Sequence, residues 1–499
     1  MNKYNLKNMK KIVFFCSICL LLTVSFISCS KNDNLVSNVS QDIEVQDFVW
    51  KGMNSWYNWQ SNVANLANTK DNNQDNYVSY LNGYSTPESL FNSLLFDAGN
   101  TDRFSWFIED YVVQNNAFQG ITTSFGFRLQ AVSTNNNGDI IFYVRYVAPN
   151  SPASNAGIKR GDIINALNGV VLNENNYNNV VSELYNETLT LSFVSENAGI
   201  LTPIEDKTIT AVELSQNPVY FKTVFNNVNG KKVGYLVYNS FRSSYNDELN
   251  AAFSYFKSEG IDELILDLRL NGGGSVLTSA YLASMIYSNA GNDIFAELKF
   301  NSKHTSEDGF YYFDDTLETF NASGNKTGDE VINRLTTINQ LYVLTSSSTA
   351  SASEMIINGL KPFIPVKVVG STTYGKNVGS ITLYDSPSSG YTDVASANTN
   401  HLNAMQPIVF QIYNKSGQSD YTQGFVPDIE VKEFQFWNAI LPFGDENEVI
   451  LKAALDNIRG LTSKSVKAYK FKNLKKFEVL ELENKFEKEM YINRDFFKQ

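Results

Sequence analysis

Thr349-Ala350-Ser351-Ala352-Ser353-Glu354, followed further on by Thr373-Tyr374-Gly375-Lys376, is the stretch from which the rest of the chain can be read. The apolar run at 341–344 predicts a buried strand, the small residues after it a bend, and 354–360 the first turns of a helix. A serine at such a bend lies near the unpaired amides of the helix, whose partial positive charge stabilises a developing oxyanion. A second apolar run at 366–369 predicts a strand leading to Lys376, 25 residues beyond Ser351. One helix and one strand can fold that separation back into proximity. A serine nucleophile, Ser351 or Ser353, needs a base, and Lys376 is the candidate.

Working outward, 499 residues with 43% hydrophobic and 13% aromatic content suffice for more than one domain with sizeable cores. The formal net charge is −12, and residues 1–28 hold Lys3, Lys7, Lys10 and Lys11 with no acid, so the chain without them is still more acidic. That balance disfavours nucleic acid as a partner. The apolar run at 12–27 is short for a membrane span and of the right length for a secretory signal. It ends in Phe26-Ile27-Ser28-Cys29, which resembles a bacterial lipobox and implies lipidation of Cys29, a membrane anchor and a place in the cell envelope. Cys16 and Cys19 fall inside the segment, so the mature chain is expected to hold no disulfide. Residues 29–39 read as an asparagine-rich tether.

Residues 40–115 read as a helical domain. Phe48, Trp50, Met53, Trp56, Tyr57 and Trp59 recur at roughly helical spacing, a break follows at Asp71-Asn72-Asn73, and Thr86-Pro87-Glu88 starts another helix. The aromatic face is expected to pack a core rather than form a ligand platform. From 116 to 215 the pattern is of short strands and turns. There Ser151-Pro152-Ala153-Ser154-Asn155-Ala156-Gly157-Ile158-Lys159-Arg160-Gly161-Asp162-Ile163-Ile164 closely resembles the signature of bacterial PDZ domains. The resemblance implies that the Phe125-Gly126-Phe127 loop offers amides to a peptide's terminal carboxylate while the peptide adds as a strand.

Between 218 and 435 strands alternate with helices, which implies an α/β core with parallel pairing. The strand around Asp267 ends in Asn271-Gly272-Gly273-Gly274-Ser275. Neither a G-K-S/T phosphate loop nor the full Rossmann fingerprint is present, so these glycines are read as bringing backbone N–H groups close to a reacting carbonyl. The mature chain has two histidines, His304 and His401, both in polar, loop-like contexts and read as surface residues, which leaves few ways to form a Ser-His-Asp triad. A lysine base requires a site that lowers its pKa by excluding water. Asp428, after Pro427, reads as a turn residue rather than a catalytic acid.

The Asp267-to-Gly274 run, the Thr349-to-Glu354 run and Thr373-to-Lys376, in that order after a PDZ signature, resemble the C-terminal processing (tail-specific) serine peptidases. Gln423-Gly424-Phe425-Val426-Pro427-Asp428 resembles the segment that closes their catalytic domain. The resemblance implies a multidomain α/β (α+β) fold: a helical N-terminal cap, a PDZ β-module and an α/β catalytic core with a partly parallel sheet of the ClpP/crotonase-like type. It places the nucleophile on Ser351 rather than Ser353, the general base on Lys376, and the oxyanion amides on Ala352 and Gly273. Many members carry Gln or Glu four residues after the lysine; here Ser380 stands there, implying a hydroxyl that orients the amine, and Asn377 replaces a frequent glycine. The substrates implied are unstructured or C-terminally recognised polypeptides, with no metal or cofactor. The competing expectation is a lipid-anchored, peptide-binding scaffold that keeps the fold without turnover. Residues 436–499 read as a C-terminal helix and a charged, solvated tail without chemistry.

Overall fold

The structure, a computed structural model, describes residues 43–134, 138–289, 291, 293–461, 474–477 and 488–492. The expected signal segment, Cys29 and the tether lie outside the described residues. The N-terminal aromatic periodicity forms the helix Glu44–Trp56, which buries Phe48, Trp50, Met53 and Trp56 as core. After the break come the helices Gln74–Leu81 and Pro87–Ser93. The second begins where Thr86 and Ser89 cap each other reciprocally, with Pro87 pre-set at its first position.

The PDZ module is an antiparallel sheet containing Phe127–Ser133, Ile140–Val147, Ile163–Leu167, Thr188–Asn197 and Ile200–Thr210. Its signature folds as read from the sequence. Ser151 caps the short helix Pro152–Asn155, and Asp162 accepts the Lys159 N–H at 2.8 Å to turn the chain into Ile163–Leu167.

In the third domain β1 (Val219–Val228) pairs antiparallel with β2 (Lys231–Tyr238). α1 (Asn246–Glu259) returns the chain to β3 (Glu263–Asp267), parallel to β2. A glycine turn holding the two-residue β4 (Gly274–Ser275) opens α2 (Val276–Ile286). β5 (Leu341–Thr345), α3 (Ala352–Leu360) and β6 (Val366–Gly370) make the next parallel crossover. There follow β7 (Val378–Ser380), β8 (Ile408–Asn414), β9 (Ile429–Glu430), α4 (Val449–Ile458) and β10 (Met490–Tyr491).

The main sheet runs β1-β2-β3-β5-β6-β9 and is parallel apart from β1. β3 and β5 are buried along their whole length, as strands covered on both faces must be. Tyr235, Ile265, Leu344 and Val369 pack with Ile450, Leu451 and Ala454 of α4, and each leucine, isoleucine or valine among them contributes about 1.5–3 kcal/mol by leaving water. A second six-stranded sheet starts β4-β10-β7-β8, so β10 lies between the glycine turn's strand and the strand after Lys376, parallel to both.

That placement corrects the expectation of a solvated tail. Lys476–Phe477 pairs antiparallel with the PDZ strand Phe127–Ser133, and Met490, Tyr491 and Ile492 are buried. The charged residues around them mask two short apolar stretches whose burial depends on docking surfaces contributed by residues far away in sequence.

Candidate active site

The loop after β5 is held by its own hydroxyls. Thr349 Oγ1 accepts the Ser346 N–H at 2.9 Å and donates to the Leu268 carbonyl at 2.8 Å. Ser353 Oγ donates to the Asn271 carbonyl at 3.0 Å, and the Ala350 N–H donates to the same carbonyl at 3.2 Å. The serine-rich bend is thereby fastened to the glycine turn that follows β3. Geometry separates the two candidate serines. The Ser353 hydroxyl is engaged in this fastening, whereas the fully buried Ser351 hydroxyl has no hydrogen-bond partner among the described residues. Ser351 also sits at φ 63°, ψ −119°, a conformation costly for a residue with a side chain and typical of functional bends.

Glu354, quoted in the motif but given no role there, organises the site. Its Oε2 accepts the backbone N–H of Ser351 at 2.9 Å and that of Lys376 at 2.8 Å. Its Oε1 accepts the Thr373 hydroxyl at 2.5 Å and the Gly375 N–H at 2.8 Å. One buried carboxylate therefore ties the serine bend to the segment carrying the lysine. Burial pushes its pKa up to about 6, against the lowering effect of these four donors. Sequence reasoning had one signal for this: an acid on the buried face of an apolar helix.

The Lys376 side chain is fully buried, and burial lowers its pKa against the raising charge of Glu489. Its amine donates to the Lys488 carbonyl at 2.8 Å and to Glu489 Oε2 at 3.1 Å, not to Ser351. Ser380 reaches the lysine's partner rather than the lysine: its hydroxyl contacts Glu489 Oε2 at 3.1 Å and the Met490 carbonyl at 3.2 Å, and accepts Gln406 Nε2 at 2.9 Å. Glu489, absent from the sequence-derived site, is buried, which pushes its carboxyl up to about 7 although Lys376 lowers it.

On the opposite side, Gly273 and Gly274 adopt φ of 119° and 134°. A Cβ on Gly273 would meet the Glu489 carbonyl at 2.4 Å and Ser351 Cβ at 2.7 Å, so glycine is required for the turn to approach the serine. The expected oxyanion amide of Gly273 is, however, bonded to Asn271 Oδ1 at 2.9 Å. The neighbouring Gly274 N–H holds a carbonyl, that of Glu489, at 2.6 Å. Asn271 sets this difference, because its side chain spans from the Tyr238 carbonyl to the Gly273 N–H and fixes the peptide planes of the turn. Ala352, as the first residue of α3, has an amide with no partner inside the helix.

The Phe125-Gly126-Phe127 loop lies apart from these residues in the PDZ module. Phe125 is buried and stacks on Phe127 at 5.7 Å, while the Gly126 N–H is already satisfied by Ser124 Oγ at 3.0 Å. Arg145 and Arg160 of the module reach the third domain and meet Glu433, which also accepts from Arg269 next to the glycine turn. Neither histidine is hydrogen-bonded to the Ser351 hydroxyl, and both are less exposed than expected. His304 stacks on Trp56 at 3.6 Å, and His401 contacts Asp385 at 3.2 Å. Asp428 accepts the Val368 N–H at 2.8 Å, a turn role.

Residues 232–431 match the peptidase family S41 domain, residues 44–106 match the peptidase S41 N-terminal domain, and residues 143–194 match a PDZ domain. The chain carries the domains of peptidase family S41 together with a PDZ domain. A Staphylococcus aureus (strain N315) protein named as a CtpA-like serine protease is 28% identical over 228 residues, which are 46% of this chain and 40% of that protein. A carboxyl-terminal-processing protease of Picosynechococcus sp. is 25% identical over 233 residues, 46% of this chain and 49% of that one. The matched regions thus cover less than half the length of these relatives. The crystal structure of a protein assigned to the S41 proteases from Bacteroides fragilis superposes with a TM-score of 0.63 at 26% identity, covering 83% of this chain and 97% of that one.

Proposed function

We propose that this S41 chain hydrolyses polypeptides through an acyl-enzyme on Ser351, with Lys376 as general base. The observation that carries the reading is the strained, buried Ser351, whose hydroxyl has no partner among the described residues, joined through Glu354 to a buried lysine. Burial lowers the lysine toward the neutral form a base requires. In the proposed reaction the neutral amine takes the serine proton as Oγ attacks the scissile carbonyl. The oxyanion forms between the Ala352 amide and the glycine turn, where Gly274 rather than Gly273 has the N–H directed at a carbonyl. The amine then protonates the leaving nitrogen and activates water to release the acyl group. In the described state Ser380 meets the lysine only through the Glu489 carboxylate that both contact.

The PDZ module is assigned the capture of an extended polypeptide by strand addition. Its Phe125-Gly126-Phe127 loop has a weaker claim as a carboxylate receptor because Ser124 satisfies the Gly126 amide. An N-terminal lipid on Cys29, holding the enzyme in the cell envelope, is supported by the apolar run that ends at that cysteine. The deciding experiment compares the purified protein with Ser351→Ala and Lys376→Ala variants on an unfolded protein. Cleavage by the parent and by neither variant supports the reading. Equal absence of cleavage in all three favours the peptide-binding scaffold.

A further inference from the structure

We propose that the C-terminal segment of this chain occupies its own substrate path, lying first on the strand-accepting edge of the PDZ module and then across the Ser351/Lys376 cleft, so that the described state is an inhibited one. The inference rests on the peptidase reading above. Two separate stretches carry it, and both fall beyond residue 431, where the match to the S41 domain ends.

The first stretch adds to the PDZ sheet. Lys476 lies opposite Val132 and Phe477 opposite Ala131 in an antiparallel pair. The Ser133 N–H donates to the Lys475 carbonyl at 3.0 Å, and Gln130 Nε2 donates to the Phe477 carbonyl at 2.9 Å. The Phe477 ring packs 5.2 Å from Tyr177, which begins the module's helix Tyr177–Val180. Main-chain pairing on a sheet edge with one side chain anchored against a helix is how such modules hold an extended peptide.

The second stretch fills the cleft. β10 separates β4 from β7 and pairs parallel with each. The Glu489 carbonyl is held by the Gly274 N–H at 2.6 Å, while the Glu489 carboxylate and the Lys488 carbonyl take both hydrogen bonds of the Lys376 amine. An amine engaged by two tail acceptors, one of them a carboxylate that favours its charged form, is not bonded to the serine and is not free to take the serine's proton. Met490 is fully buried, and Tyr491 stacks on Phe118 at 4.2 Å. A substrate strand needs the same two strand edges and the same amide. The order along the chain, PDZ edge first and cleft second, is the order in which a captured polypeptide would thread. Because the segment is tethered, its local concentration is on the order of millimolar, enough to keep even a weak strand resident.

The test compares the full chain with a chain ending at Leu461 and with a full-length Phe477→Asp, Met490→Arg double variant, each supplied with fluorescently labelled unfolded casein. Binding of a labelled synthetic peptide of residues 474–492 to the shortened chain is followed by anisotropy. The expected result is cleavage faster by about tenfold or more in both altered proteins, the factor for a cleft open about a tenth of the time. The peptide should bind saturably and slow the shortened chain. Altered proteins that keep the parent's melting profile yet cleave no faster overturn the proposal, as does a peptide that fails to bind. Should the shortened chain fail to fold, the double variant decides by its rate alone: faster cleavage supports the proposal, and an equal or lower rate overturns it. If no form cleaves, saturable peptide binding upholds the occupancy while the peptidase reading falls, and absence of binding removes the occupancy.

Discussion

The Lys376 amine donates to the Glu489 carboxylate at 3.1 Å, with both side chains buried. Burial lowers the lysine's pKa, and the neighbouring carboxylate raises it. Glu489→Gln removes the raising charge and leaves the burial, so the pKa falls further. In the resting chain, where Glu489 lies beside the amine, the Lys376 pKa should therefore be lower in this variant than in the parent. Titration of the lysine by NMR measures it, and an unmoved or raised pKa would contradict the contact between Lys376 and Glu489.

Ser351 keeps a side chain at φ 63°, ψ −119°, where glycine is preferred. Such backbone conformations cost about 1–3 kcal/mol, part of which glycine would return as extra freedom in the unfolded chain. Ser351→Gly should therefore abolish cleavage and raise stability by about 1 kcal/mol in urea unfolding. Ser351→Ala should lose cleavage by about a thousandfold or more without that gain. A Ser351→Gly protein less stable than the parent would show that the bend is not strained.

Glu354 satisfies four donors from Ser351, Thr373, Gly375 and Lys376. Replacing it with alanine strands them in a buried site at about 1–3 kcal/mol for each that water cannot reach, so Glu354→Ala should lose about 3 kcal/mol or more and most of its turnover. The pH dependence separates this role from simple packing. The folded pKa, about 6, is above the ordinary 4.5, so the folded state binds more protons than the unfolded one between these values. Stability from this group is therefore greatest below about 4.5 and declines as pH rises through about 6. Glu354→Gln should lack that decline in melting curves taken from pH 4 to 7, and a parallel decline would assign it to other groups.

Glu433 meets Arg145 and Arg160 from the PDZ module and Arg269 from the turn between β3 and the glycines. Burial opposes its charge, but the three guanidinium groups prevail and hold the carboxyl well below its usual range. Its stabilisation is thus present above the ordinary carboxylate pKa and is lost only as pH falls through the depressed folded value. Glu433→Ala removes the ion-pair partner that buried Arg145 has among the described residues, while Arg160 and Arg269 keep Glu448, and should cost about 3 kcal/mol at neutral pH. Urea unfolding checks it, and a loss below about 1 kcal/mol would show that the cluster is hydrated.

What could be read without coordinates was local. The order of strand, bend and helix around Ser351, the capped start at Thr86, the PDZ signature and the glycine turn each express a rule that acts within a few residues. The α/β class followed because strands covered on both faces must be apolar throughout, as β3 and β5 are. The choice of Ser351 over Ser353 rests on resemblance and is not of this kind, since the contact that engages the Ser353 hydroxyl is with the Asn271 carbonyl, 82 residues away.

The tertiary structure alone decided the rest. The Gly274 amide holds a carbonyl where Gly273 was expected, because the Asn271 side chain orients the peptide planes of the turn. Glu354 was visible as an acid in a helix, but three of its four partners come from a segment some twenty residues away in sequence. The tail gave least warning: Lys476–Phe477 and Met490–Tyr491 are two-residue strands in a charged stretch, too short for any periodicity to register. Their place depends on edges and amides that exist only after the PDZ sheet and the catalytic core have folded. Sequence pattern determined which elements form, because burial and capping act locally. Which distant groups share the cleft was decided by packing, because a hydrogen bond depends on where atoms meet and not on their separation along the chain.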